Sequence, residues 1–140
     1  MDKAELLQGL KRVEKIAIAS RWDRFWKNPK KYADAVLYRK LFYPKWGTRK
    51  VKSETFFGKK INLLLPSGTD IFLTGGKSHP SEIRLARFLI QKLNPGNVFL
   101  DVGAHYGYFS LLGSVLVGET GKVFSFEASE STFAMLELNS

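Results

Sequence analysis

Hydrophobic positions along the first third of the chain recur at helical spacing. Residues 3–19 carry apolar side chains three and four positions apart with charges between them, which predicts an amphipathic helix. The pair Asn28-Pro29 predicts the cap and first position of another helix, which Pro44 is expected to halt after Tyr43. The beginning of the chain is therefore predicted to be helical.

The middle of the chain changes to short strand-like runs. The turn signals Gly58-Lys59 and Pro66-Ser67-Gly68 separate three apolar runs. These runs cover residues 54–57, 60–65 and 70–74. We expect a small antiparallel hairpin or a three-stranded sheet edge within residues 51–76.

From Ser78 onward, helical and strand patterns alternate, as they do in α/β proteins. A helix is predicted from near Pro80 to Leu93, and it is expected to cover the strand that follows. The continuous apolar run 98–100 is typical of a parallel strand buried on both faces. Residues 121–127 predict a second strand, and 129–140 predict a helix after it. This order favours a parallel sheet with helical crossovers.

The turn after the first of these strands carries an acid and two glycines. Asp101 ends the apolar run, and Gly103 and Gly107 follow it four residues apart. Gly103 can adopt backbone angles that are closed to other residues and lets a ligand approach the main chain, while Gly107 is expected to let the next helix pack close to the strand. A helix beginning near Gly107 would direct free N–H groups towards a ligand above the strand end. The pattern predicts a nucleotide-cofactor loop.

The spacing of the loop excludes two common nucleotide motifs. A dinucleotide fingerprint starting at Gly103 requires glycine where this chain has His105 and Tyr108, and a P-loop requires Gly-Lys-Ser/Thr, which does not follow Gly107. A dehydrogenase is accordingly a weaker alternative. What remains is acid-x-Gly-x-x-x-Gly after a strand, and His105 stands at a position where histidine tolerates a left-handed backbone.

A second acid lies at the end of the next predicted strand. Glu127 follows Gly103 by 24 residues, which carries a βαβ unit through one helix and one strand. A carboxylate at this place can accept hydrogen bonds from both hydroxyls of a ribose. A solvated or helix-capping acid is the alternative for Glu127 taken alone.

These segments resemble the start of an FkbM-family domain, within the class I S-adenosylmethionine-dependent methyltransferases. The string Gly-Ala-x-x-Gly-Tyr-Phe-Ser at 103–110 is the specific part, and Gly-Lys-Val-Phe-Ser-Phe-Glu-Ala-Ser at 121–129 accompanies it. The helix beginning at Ser81-Glu82 is also similar to the one preceding this loop in that family. The stricter form of the loop has a glycine where His105 stands. The resemblance covers about residues 60–140.

The resemblance implies a fold, a cofactor and a reaction. The fold class is α/β, a Rossmann-like methyltransferase domain of which this chain is expected to hold only the first two strands, as an N-terminal portion. The cofactor would be S-adenosylmethionine, and the reaction would be O-methyl transfer to a hydroxyl of a sugar or secondary metabolite. No catalytic residue is assigned. The residues implied to bind the cofactor are Asp101, Gly103, Ala104, His105, Gly107 and Glu127.

Charge is distributed unevenly along the chain. The net charge is +9, and residues 1–60 hold 17 Lys and Arg against 6 Asp and Glu, interleaved with aromatic residues. We rank three interpretations: aromatic side chains buried between helices, an anionic membrane or glycan surface as partner, and, last, nucleic acid. A non-catalytic binding module that uses this region is the alternative to the enzyme.

The remaining composition bears on sites and location. The absence of cysteine excludes disulfides and is compatible with a cytoplasmic protein, and no apolar run is long enough to span a bilayer. His79 and His105 are far apart, and no metal site is expected. His79 is predicted to start a helix, and Asp70 and Glu82 are interpreted as turn and helix-start acids rather than an acid/base pair. We divide the chain into 1–50, 51–76 and 77–140.

Overall fold

The computed structural model describes the backbone of all 140 residues and every side chain except that of Arg21. Over these residues the chain is mixed α/β with two small sheets. The elements in chain order are α1 (Lys3–Ile18), α2 (Arg21–Lys27), α3 (Pro29–Leu37), a π-helical segment (Tyr38–Phe42), α4 (Tyr43–Trp46), β1 (Arg49–Glu54), β2 (Lys60–Leu65), α5 (Thr69–Thr74), α6 (Pro80–Lys92), β3 (Val98–Val102), α7 (Tyr108–Val117), β4 (Lys122–Phe126) and α8 (Glu130–Glu137).

The predicted N-terminal helix is confirmed as α1. Asp2 and Glu5 form a capping box, in which the Asp2 carboxylate accepts from the Glu5 N–H at 2.7 Å and the Glu5 carboxylate accepts from the Asp2 N–H at 2.9 Å. Leu6, Leu10 and Val13 are buried on its inner face. The amphipathic spacing therefore sets which side of α1 joins the core.

The helix that starts at Asn28-Pro29 forms as predicted, but the prediction that Pro44 halts it is wrong. After α3, the Tyr43 N–H donates to the carbonyl of Tyr38, five residues back, in the π-helical segment. This wider turn places Pro44 in the first turn of α4, where a missing N–H costs no intrahelical bond. The helical path ends instead at Gly47, which has φ of 71°.

The hairpin is confirmed, with shifted bounds and without a third strand. β1 pairs antiparallel with β2, with Arg49 opposite Leu65 and Glu54 opposite Lys60. The predicted strand at 54–57 is therefore wrong, because Glu54 ends β1 and residues 55–57 belong to the connecting turn. The predicted strand at 70–74 is also wrong, because Thr69–Thr74 is the helix α5. A short apolar run does not distinguish the two structures, and the Pro66 to Gly68 turn starts the helix.

The second sheet is parallel, as predicted, but one of its faces is open. β3 pairs with β4, with Val98 opposite Lys122 and Val102 opposite Phe126, and α7 packs on one face of the pair. The exposed apolar residues of the other face are Val98, Leu100, Val102, Phe124 and Phe126. The prediction that β3 is buried on both faces is therefore wrong. The prediction that α6 covers β3 is also wrong, because the main packing partners of α6 are α1 and α7.

The tryptophans of the N-terminal region are exposed. Trp22 and Trp26 are each 73% exposed and Trp46 is 70% exposed, so the expectation that the aromatic residues pack inside is wrong for these three. The buried residues of this region lie instead in the segments between the two helices that contain the tryptophans, as Ala35 of α3 and Tyr38 of the π-helical segment show. Among the described residues, no helix combines the length and apolar character needed to cross a membrane.

Candidate functional site

The loop after β3 follows an unusual backbone path. Gly103, His105 and Gly107 have φ values of 80°, 53° and 80°, in the left-handed region that favours glycine. The N–H groups of Gly103 and Ala104 both donate to the carbonyl of Phe126, at 2.8 and 3.0 Å. The loop thus lies across the carboxyl ends of both parallel strands, and His105 takes the left-handed conformation that the sequence suggested.

Glu127 holds this loop from the end of β4. One carboxylate oxygen accepts from the His105 N–H at 2.8 Å, and the other accepts from the Ser129 N–H at 2.9 Å. The N–H groups of Ser129 and His105 hold the pKa of Glu127 below its ordinary value. The oxygen that binds Ser129 also accepts from the Thr132 hydroxyl at 3.2 Å, and since each carboxylate oxygen accepts up to two hydrogen bonds, the oxygen that binds His105 keeps capacity for one further donor.

The two loop glycines have different reasons for being glycine. A side chain at Gly103 would meet open space, so only its backbone angles require glycine. A Cβ on Gly107 would lie 2.7 Å from Leu136 Cδ1, so the close neighbour is α8 and the predicted approach to the strand is wrong. The close contact between helix and strand is made by Gly113 of α7, where a Cβ would lie 2.5 Å from the Phe99 ring.

Asp101 lies on the α7 side of the sheet. Its carboxylate accepts from the Ser110 hydroxyl at 2.6 Å, and the Ser125 hydroxyl donates to Ser110 at 2.8 Å. These bonds join β3, the first turn of α7 and β4. In this structure Asp101 therefore fixes the start of the helix, and the sequence alone gave no signal for its serine partners.

A small cavity opens beside the loop. Its volume is ≈ 130 Å³, and Gly103, Ala104 and His105 form one wall. The opposite residues include Lys77 and Glu82, whose side chains form an ion pair at 3.1 Å. A paired cation and anion can complement the carboxylate and ammonium of an amino acid. Lys77 was missed from the sequence, because nothing in the pattern relates the segment before α6 to the loop.

Burial shifts the pKa values of two groups that line this cavity, His105 and Tyr108, and of Asp70 in the neighbouring helix α5. Burial lowers the pKa of His105, and the neighbouring charge of Lys77 lowers it further, so the imidazole favours its neutral form. Burial raises the pKa of Asp70, whose carboxylate accepts from the Ile71 N–H at 2.8 Å, and it also raises the pKa of Tyr108. The site therefore combines partial dehydration with charged groups.

The other polar residues flagged in the sequence are structural. His79 caps α6, with its ring nitrogen 2.7 Å from the Ser81 hydroxyl, which confirms its prediction as a helix-start residue. Glu82 lies in the first turn of α6, as expected, whereas Asp70 lies in α5 rather than in a hairpin turn. The two acids do not pair with each other in the described part of the chain, since Glu82 binds Lys77 and Asp70 accepts backbone N–H groups.

Asn139 ties the loop to the hairpin, a role the sequence did not reveal. Its amide donates to the Tyr106 carbonyl at 2.8 Å and to the Asn62 carbonyl at 3.0 Å, and its oxygen accepts from the Asn62 N–H at 2.7 Å. The Tyr106 hydroxyl is also 2.7 Å from that of Ser67. The loop is thereby anchored to the hairpin as well as to Glu127.

Comparison with known proteins adds no relative. No family model matches the chain, and neither curated proteins nor solved structures give a match.

Proposed function

We propose that this chain carries the S-adenosylmethionine site of an FkbM-type, Rossmann-like class I methyltransferase. The observation that supports it best is the left-handed loop of Gly103, His105 and Gly107, which lies over the ends of two parallel strands and is held by Glu127. Ligands of open α/β sheets bind at this edge. The open space beside Gly103 leaves the main chain accessible to one.

The charged groups around the loop suit the two ends of this cofactor. Glu127 would accept a hydrogen bond from a ribose hydroxyl through the oxygen that binds His105, and the Lys77–Glu82 pair would meet the carboxylate and ammonium of the methionine part. Ala104 and His105 would lie beside the cofactor through their backbone. Asp101 would act indirectly, by fixing the start of α7 through Ser110.

The reaction would be methyl transfer to an oxygen, with a hydroxyl of a sugar or secondary metabolite as acceptor. The cofactor supplies an activated methyl group on a positively charged sulfur, so the protein's contribution is mainly orientation and exclusion of water. We assign no residue as the base that takes the hydroxyl proton. The neutral form of His105 adds no positive charge beside the sulfonium.

Calorimetric titration with S-adenosylhomocysteine tests the cofactor site without the acceptor. We expect saturable binding, and Glu127→Gln should weaken it by about tenfold or more, because an amide replaces a carboxylate that accepts charge-assisted hydrogen bonds. Glu130→Gln, on the exposed first turn of α8, is the matched control and should leave affinity unchanged. Absence of saturable binding by the folded chain would contradict the proposal, as would equal affinities for the two variants.

The exposed tryptophans favour a second candidate function, attachment to an anionic membrane surface. Trp22, Trp26 and Trp46 are all exposed, and cationic side chains such as Lys40 and Lys45 lie near them in sequence. Tryptophan at the headgroup level combined with cations is the composition of interfacial binding segments. The binding-module alternative would then coexist with the cofactor site instead of replacing it.

Vesicle co-sedimentation tests this second function. Vesicles containing phosphatidylglycerol should bind the chain, vesicles of phosphatidylcholine alone should not, and added salt should weaken the binding. Replacing the three tryptophans with serine should abolish it. Phe88→Ser, which removes an exposed aromatic residue from α6, is the control and should bind normally. Equal binding to both vesicle types would refute an electrostatic surface.

A further inference from the structure

A second and larger cleft lies in the N-terminal part of the molecule. Its volume is ≈ 420 Å³, within the range of small-molecule sites, and it lies between α1, the start of α3, the end of β1 and α5. Phe72, Leu73 and Thr74 of α5 border this cleft, whereas Ile71 of the same helix borders the loop cavity. The cleft is therefore separate from the loop cavity, although residues of α5 line both.

Three cationic side chains from three helices line this cleft. Arg12 belongs to α1, Lys27 to α2 and Lys31 to α3, and Glu54 is the one acid among the lining residues. Within the described part of the chain, none of the three forms an ion pair with a carboxylate. Three cations against one carboxylate leave a net charge of +2 around the cleft.

The floor of the cleft is apolar and aromatic. The Lys31 ammonium lies 5.2 Å from the centre of the Phe72 ring, a cation–π contact that holds its charge at the cleft. A Cβ on Gly9 would lie 2.8 Å from the Phe56 ring, so α1 can approach this floor only because residue 9 is glycine. Cations above an aromatic floor suit a ligand with one anionic and one apolar part.

We propose that this cleft binds a small phosphate monoester with an apolar or aromatic group. A monoester carries a charge of about −1.5 to −2 at neutral pH, which balances the cations, whereas a carboxylate balances only half of them. Arg12 provides the planar donor fork that fits phosphate oxygens, and the lysines provide compact charges. Phe56 and Phe72 would contact the apolar group. This site is independent of the cofactor site.

Calorimetry with phenyl phosphate, benzoate and phenol tests the charge and the class of ligand. Phenyl phosphate should bind saturably at low salt, benzoate about tenfold more weakly or worse, and phenol not at all. Phenyl phosphate binding should strengthen as pH rises through about 6, where the monoester loses its second proton. Benzoate binding as tightly as phenyl phosphate, or no saturable binding of phenyl phosphate, would overturn the proposal.

Neighbouring residues supply matched controls for location. Arg12→Gln and Lys31→Gln should each weaken phenyl phosphate binding about tenfold, whereas Lys11→Gln and Lys30→Gln, at adjacent exposed positions outside the cleft, should not. Equal losses in all four variants would indicate nonspecific surface charge. If Arg12→Gln weakens vesicle binding while phenyl phosphate does not bind, the cations serve a lipid surface, and the cleft proposal is wrong.

Discussion

The two sheets of this molecule have similar size and opposite surroundings. In the antiparallel pair β1–β2, alternate residues of β2 are almost fully buried, and Leu63 is 0% exposed. In the parallel pair β3–β4, Leu100 is 59% exposed and Val102 is 81% exposed, although both strands are apolar. Apolar content therefore does not decide burial here. The partner elements that the fold provides decide it.

The open face has a physical consequence for the parallel pair. Five exposed apolar side chains on two adjacent strands form a contiguous patch of the kind that marks an interaction surface or promotes aggregation. The opposite face, under α7, is joined by the hydrogen bonds of Asp101, Ser110 and Ser125. The loop after β3 thus lies on a sheet that α7 covers on one face and that is exposed on the other.

The largest expected difference between the sheets is the loss of folding stability when a leucine is replaced by alanine. Leu63→Ala should lower the free energy of unfolding by about 2–5 kcal/mol, because it leaves a cavity in a close-packed core. Leu100→Ala, the same change on the open face, should alter it little. Urea denaturation of both variants measures the contrast. Equal losses would show that the open face is covered in solution.

The link between the two sheets should be the next most costly to break. Asn139→Ala should lower the free energy of unfolding by about 1–3 kcal/mol, because it leaves buried carbonyl and N–H groups of Asn62 and Tyr106 without partners. Asn139→Asp keeps the acceptor for Asn62 but replaces the donor to the Tyr106 and Asn62 carbonyls with a carboxylate oxygen that both carbonyls repel, so its loss should be at least as large as that of the alanine variant. Thermal unfolding measures the series, and an Asp variant as stable as wild type would contradict this assignment.

The sequence predicted the elements of the parallel pair better than their packing. Local properties of the chain, namely backbone angles and the chemistry of strand ends, determine the positions of the run 98–100, the loop glycines and Glu127. Each of them lies where the sequence pattern placed it. The open face could not be predicted, because an apolar strand looks the same whether or not a neighbour covers it. α5 was mistaken for a strand because six residues are too few to show a period.

Contacts between distant segments also escaped prediction. Lys77 meets the loop and Asn139 meets β2 only after the chain has folded, and neither is marked by local spacing. Pro44 shows the opposite case, in which a strong local signal is overridden. The π-helical turn before it places Pro44 in the first turn of α4, where the missing N–H costs no intrahelical hydrogen bond, and the helical path continues to Gly47.

Charged residues on the open face of the parallel pair should prevent self-association of the chain. We expect the wild-type chain to associate with rising concentration, and the pair Leu100→Glu with Phe124→Lys to remain monomeric, because the charges make burial of the patch costly. Leu85→Glu, on exposed α6, should leave association unchanged. Sedimentation velocity measures all three. A monomeric wild-type chain at high concentration would refute the expectation.

The smallest expected effect is the pH dependence of stability that His105 causes. Burial lowers the pKa of His105 in the folded chain below the ordinary value of 6.5. Its contribution to stability is therefore complete above pH 6.5. As the pH falls below this value, the unfolded chain takes up a proton first, and stability decreases towards the folded pKa. His105→Asn keeps a residue tolerant of positive φ and should reduce the change of the free energy of unfolding with pH in this window. An unchanged pH dependence would exclude His105 as its source.

The most direct test of the proposed cofactor site is an amide nuclear magnetic resonance titration with S-adenosylhomocysteine. We expect saturable shifts at Gly103, His105 and Ser129, whose N–H groups lie in the loop or donate to Glu127, and no shift at Leu63 in the hairpin. A well-dispersed spectrum with no saturable shift in the loop, or with shifts only elsewhere, would contradict the assignment of this loop as a cofactor site.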